Sequence, residues 1–241
     1  MSKDPDCIRT LISKNSSEIA IGQAVEGIIE LGLMSYPLRV PHEGCAILTF
    51  LVENFHTAQA LKLIEAGADV KQGSEINYQP LHAAAGVKDV EVFNALIARG
   101  ASVHAKTTQG ASVLHYALVD NLSEEMTVAS LNAVKKPFWA LKKKGMDPAG
   151  RTASGFEMFA QYARDPAQVM FALEKMEEKG LLSALKEDPK GGTEIFASMQ
   201  SIFRSRFGAN SPIVGYLHTF KDAQALDAST PSVASRSRPR F

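Results

Sequence analysis

The side chains with the clearest chemical potential are two histidines, His82 and His115, and two cysteines, Cys7 and Cys45. Histidine can act as a general base or a metal ligand near neutral pH. A cysteine becomes a nucleophile when a base, oriented by a third group, stands beside it. The spacing argues against both roles. His82 and His115 lie 33 residues apart in matching local sequences, Leu81-His82-Ala83 and Leu114-His115-Tyr116. They are therefore equivalents within a repeat, not two ligands on one helical face. No third residue is placed to orient a base for Cys45. His42-Glu43-Gly44-Cys45 offers two metal-capable side chains without a second pair, and Gly191-Gly192-Thr193 lacks the lysine and preceding strand of a phosphate loop. The expectation is a chain that is not an enzyme, with no catalytic residue, no cofactor and no metal; the lesser alternative is an enzyme with an unrecognised site in 185–227, a stretch with one histidine, His218, and few acids.

Composition narrows the remaining classes. Lysine plus arginine and aspartate plus glutamate number 26 each in 241 residues, so no global field draws the chain to nucleic acid or an anionic membrane. The basic clusters Lys135-Lys136 and Lys142-Lys143-Lys144 read as solvated, the second in the last turn of a helix, where cations offset its dipole. Two cysteines without a CxxC pair suit a reducing compartment. The N-terminus has no apolar signal-peptide core, and no apolar run is long enough to span a bilayer. A cytoplasmic protein is expected, with protein partners, no nucleic acid, no membrane insertion and no evident small-molecule substrate. At 45% hydrophobic residues, the chain can bury a continuous core.

What must position these side chains is visible in self-comparison. Leu48, Leu81 and Leu114 recur every 33 residues, and Gly67-Ala68-Asp69-Val70 and Gly100-Ala101-Ser102-Val103 recur in step with them. Pro80 suits the first turn of a helix, where its missing N–H costs nothing, and Ser112 at the matching point can cap one. Small residues Ala83 to Ala85 let a short inner helix approach its neighbours. Val90, Phe93, Leu96 and Ile97 then follow at helical spacing. Gly67, Gly100, Gly145 and Gly180 supply left-handed ends for the second helices. One such pair cannot bury its own apolar faces, so the pairs must stack.

At these residues the chain resembles the ankyrin repeat family, most closely from Gln79-Pro80-Leu81-His82-Ala83-Ala84-Ala85 to Gly100-Ala101. The resemblance implies an all-α solenoid of about four to six stacked helix-turn-helix units with hairpin-like loops. It also implies that His82 and His115 bond to backbone and brace the loops, and that partners are proteins held by loop tips and concave inner helices. The expected divisions are an N-terminal capping pair at 1–42, units at 43–75, 76–108, 109–153 and 154–184, a degenerate repeat or helical cap at 185–227, and a disordered tail at 228–241. The third unit is twelve residues too long. The excess is expected near 120–134, as a lengthened inner helix or an extra short helix starting at Ser123, with Trp139 on the outer helix beside it. Small bacterial effectors with divergent ankyrin repeats offer a further analogy, in which the tail would be a secretion signal and the host cytosol the place of action.

The register yields a candidate protein-binding surface. Loop tips fall at 72–78, 106–109 and 149–154, including Tyr78 and Lys106. Inner-helix positions are Phe50, Glu53 and Asn54, then Ala83 and Val87, then Tyr116, Val119 and Asp120, then Gln161, Arg164 and Asp165. Phe50, Tyr78 and Tyr116 are the candidate anchors, since exposed aromatics on one face dominate many interfaces. The alternative is that they cover neighbouring repeats.

Overall fold

The computed structural model describes residues 5–13, 16–38, 45–118, 123–133, 160, 164–187 and 192–227. Among these, the chain is a helical array with a single short two-stranded ribbon. It opens with α1 (Asp6–Leu11) packed on α2 (Glu18–Glu30). Ser17 caps α2 by accepting from the Ala20 amide. Strands β1 (Pro37–Leu38) and β2 (Cys45–Ala46) then pair antiparallel, Leu38 opposite Cys45. They lead into the first complete unit.

Two rows of helices follow. The inner row is α3 (Ile47–Glu53), α5 (Pro80–Val87) and α7 (Val113–Leu118), in which α5 packs against both neighbours. The outer row is α4 (Thr57–Glu65), α6 (Val90–Ala98) and α8 (Glu124–Ala133), with α2 covering α4 at one end. The reasons for each start and stop are local. Pro80 occupies the first turn of α5, Asp89 caps α6 through the Val92 amide, and Ser112 Oγ accepts from the His115 amide to open α7. Gly67 and Gly100 close α4 and α6 at φ +94° and +88°, where a Cβ would be strained. In both cases the amide after the glycine returns to a carbonyl five residues back, Ala68 to Leu63 and Ala101 to Leu96. The Ala-x-Val segments that follow are anchored inward, with Ala68, Val70, Ala101 and Val103 all buried. The next loop crosses back as a narrow hairpin, where Lys106 bridges Ser112.

One expectation about the third unit requires correction. Glu124–Ala133 is not an insertion. It packs against α7 of its own unit and against α6 before it, the place of an outer helix, and Met126, Thr127, Ser130 and Leu131 are buried there. Ser123 does start it, accepting from the Met126 amide. The rest of this unit, with Gly145 and Trp139, lies outside the described residues. Polar residues disguise this helix. Thr127 and Ser130 are buried where α6 carries apolar side chains, and the Thr127 hydroxyl finds no hydrogen-bond partner among the described residues.

The far end departs from the repeat. Helix α9 (Pro166–Glu178) packs on α8, is capped by Asp165 through the Ala167 amide, and ends at Gly180 with φ +66°. Instead of a loop, α10 (Leu181–Glu187) starts at the next residue. Two longer helices follow, α11 (Gly192–Phe207) and α12 (Pro212–Asp227), and α12 folds back onto α9. Met199, Phe203, Ile213 and Leu217 fill the space between them.

Candidate functional site

His82 is the hinge of the inner face. Its side chain is wholly buried, and its ring joins two units: Nδ1 accepts from the Gln79 amide at 3.1 Å, and Nε2 lies 3.2 Å from the Ala105 carbonyl. An amide can only donate and a carbonyl can only accept, so the ring carries its proton on Nε2. Burial pulls its pKa from 6.5 down to about 4. His82 is thus a neutral brace at working pH, bonded to backbone as the resemblance implied. It is not poised as a general base.

Around it stands an aromatic cluster. Tyr78 stacks on His82 with centroids 5.6 Å apart and meets Tyr116 edge to face at 5.3 Å. Tyr116 also meets His82 at 5.6 Å and His115 at 5.4 Å. Glu53 stands at the end of α3, and burial, followed by the charge of Glu53, holds the Tyr78 phenol above its ordinary range. Tyr116 is raised by the same two causes. Between the rings, Gly86 occupies in α5 the position that Glu53 holds in α3. A Cβ at Gly86 would lie 3.8 Å from Tyr116 Cδ1 and 3.9 Å from the Tyr78 hydroxyl oxygen. Gly86 itself is exposed, so the two half-buried rings stand beside a surface position that carries no side chain. Lys88 marks the edge of this face, donating to the carbonyls of Tyr116 and Ala117 at 2.6 and 3.1 Å and so satisfying the end of α7.

The other residues singled out by register scatter. Phe50 is a correction: it is only 8% exposed and belongs to the core between inner helices, so it offers no exposed anchor. Ala83 is likewise fully buried. Tyr78 and Tyr116 are half-buried against the core, so they serve the stack as well as any partner. Asn54 is exposed, with its side-chain amide donating to the Phe50 carbonyl. Val87 is half-buried. Lys106, also half-buried and with its ammonium pKa lowered by that burial, sits in a loop tied to its neighbour by Asn77 Nδ2 bonding to its carbonyl at 2.6 Å. Arg164 and Asp165 are exposed at the start of α9, apart from the aromatic cluster. Val119, Asp120, Gln161 and the loop at 149–154 lie outside the described residues.

Cys45 is buried, and its thiol is pushed up to about 12 by burial and then by Glu53, which makes it a poor nucleophile. Among the described residues no cluster of three or more His, Cys, Asp or Glu could hold a metal, and no helix is long and apolar enough to cross a membrane.

One surface residue escaped the register. Phe55 is 71% exposed at φ +61°, closing α3 in the conformation that Lys88, at φ +63°, adopts to close α5. Only its spacing of 33 from Lys88 could have drawn attention to it.

Repeated helix pairs in two rows, joined by inward-anchored hairpins, define a solenoid repeat protein. A family model described as ankyrin repeat matches residues 77–108, the unit built on α5 and α6. The chain is also 39% identical over 71 residues to ankyrin repeat and SOCS box protein 5 of the rabbit, Oryctolagus cuniculus, an alignment covering 29% of this chain and 21% of that protein. Residues 77–108 are thus an ankyrin repeat, and the helical array around them is consistent with an all-α ankyrin-repeat solenoid. Ankyrin repeats generally serve protein–protein interaction, and the family is typically non-enzymatic.

Proposed function

We propose that this chain is a non-enzymatic interaction module, an adaptor, scaffold or inhibitor, that takes a protein partner on its inner-helix face and adjoining loop tips. The observation that carries this reading is the half-buried Tyr78–Tyr116 pair beside the exposed Gly86. Rigid aromatic surface left accessible beside a glycine is the kind of feature that anchors interfaces. The neutral, bonded state of His82 and the raised thiol of Cys45 support a binding role over catalysis. The two free cysteines favour a reducing, cytoplasmic setting.

The test compares two faces. Gly86→Gln places a side chain over the rings, whereas Glu91→Gln alters an exposed position on α6. Both variants should keep the melting temperature of the parent chain. Gly86→Gln should lose captured partners that Glu91→Gln retains, as measured by quantitative affinity capture. Equal retention by both would refute the assignment of the inner face.

A further inference from the structure

The turn between α3 and α4 combines backbone strain with exposed apolar surface. Helix α3 closes in a left-handed turn: the His56 amide returns to the Leu51 carbonyl at 2.9 Å and the Phe55 amide to Val52 at 3.1 Å, with Phe55 at φ +61°. That conformation suits glycine or asparagine and disfavours a bulky side chain. Lys88 adopts it at the end of α5, and there the strain is offset, because its ammonium donates to the Tyr116 and Ala117 carbonyls of the next unit. Phe55 gains little in return, since its side chain is left 71% exposed. A residue that strains the backbone without stabilising the fold points to a use outside it.

A second element meets this turn. His56 Nδ1 donates to the Glu18 carboxylate at 3.1 Å, which brings the first turn of α2 to the same corner. Ile19, next to Glu18, is 76% exposed, so the two most exposed large apolar side chains among the described residues flank one hydrogen bond. The free charge here is negative. Glu18 is 70% exposed, and its bond to His56 leaves one carboxylate oxygen to water. Asp89, at the neighbouring turn, has both oxygens engaged, by the Thr57 hydroxyl and the Val92 amide, while Lys88 is turned to the end of α7. Two copies of this corner would set Glu18 against Glu18, so charge disfavours self-association and favours a basic partner.

We propose that Phe55 and Ile19 form a docking corner, apart from the inner face, for the apolar stripe of an amphipathic helix in a partner protein, with a basic residue of that helix meeting Glu18. A helix presents apolar side chains one turn apart with a charged one between them, which matches two apolar points flanking a carboxylate.

The experiment uses the full chain with 13C-labelled phenylalanine rings and isoleucine methyls, and a capped alanine-rich helical peptide of about 18 residues as the probe. The peptide carries leucines one turn apart with arginine between them; matched peptides replace the arginine by glutamate or the leucines by alanine. With the arginine–leucine peptide, the Phe55 and Ile19 signals should move saturably in NMR spectra. The glutamate and alanine peptides should each bind at least about fivefold more weakly. Phe55→Asn should weaken binding by about fivefold while the urea midpoint holds or rises, which separates docking from a structural role. Glu18→Gln, whose amide oxygen can still accept from His56, should erase the difference between the arginine and glutamate peptides. Gly86→Gln should leave this binding unchanged, so the corner and the inner face stand or fall separately. Unmoved Phe55 and Ile19 signals, equal binding of the three peptides, or unchanged affinity of Phe55→Asn would each overturn the corner. So would dimerisation of the free chain in sedimentation that Phe55→Asn abolishes, because a second copy would then be the occupant.

Discussion

Acid should dismantle the His82 brace in a way that a single substitution reveals. In the folded chain the ring stays neutral down to about pH 4, whereas the unfolded chain takes up its proton near 6.5. Stability from this residue is therefore fully present above pH 6.5 and is lost as pH falls. The loss runs at up to about 1.4 kcal/mol per pH unit and levels off near pH 4, a total on the order of 3 kcal/mol. The structural cause is specific: protonating Nδ1 turns the acceptor of the Gln79 amide into a second donor. His82→Leu, similar in volume and without charge, removes both backbone bonds. At pH 7 it should cost about 2 kcal/mol, because the Gln79 amide and Ala105 carbonyl each lose a partner while the leucine stays buried. The variant has no proton to gain, so its deficit shrinks on acidification, and the two stability curves should meet at about pH 5. Urea denaturation followed by far-ultraviolet circular dichroism between pH 7.5 and 4.5 measures the gap, and the titrations shared by both chains cancel in the difference. A gap that stays constant across this range would refute a buried neutral His82.

Three further outcomes follow from other parts of the array. Asp89 caps α6 and also accepts from Thr57 Oγ1 at 2.6 Å, joining two outer helices, so Asp89→Ala should lower stability by about 1–2 kcal/mol in the same denaturation assay. Phe55→Asn should raise stability by about 0.5–1 kcal/mol, since asparagine tolerates a left-handed backbone that phenylalanine does not; a fall in the urea midpoint would count against strain at this site. In the native chain a thiol reagent at pH 8 should modify Cys45 only as fast as the protein opens, while the partly exposed Cys7 reacts first. Mass spectrometry of the labelled chain separates the two positions.

The parts of this fold legible in the sequence are those where backbone geometry restricts residue type. Gly67, Gly100 and Gly180 all sit at positive φ, Pro80 and Ser112 both start inner helices, and the resemblance to ankyrin repeats implied the backbone-bonded role that His82 has. Where burial is not written in apolar residues, the reading slipped. Thr127 and Ser130 carry α8 into the core without an apolar period, so an outer helix looked like an insertion. Phe50 was misjudged for the opposite reason. The inner helix α3 is covered by its neighbours on more than one side, and no period in seven residues separates a core aromatic from a groove aromatic. The Tyr78–Tyr116 pair draws on successive units, so each member was legible alone and their contact was not.

The buried hydroxyls of α8 bear on how the array comes apart. In a linear stack, each unit holds only to the next, and the weakest junction decides where strain is released. Buried in α8, Thr127 and Ser130 stand at the positions where the preceding outer helix sets Phe93 and Leu96. A pull on the two ends should therefore part the spring around α8 first, leaving α3 to α7, with the whole aromatic cluster, still wound.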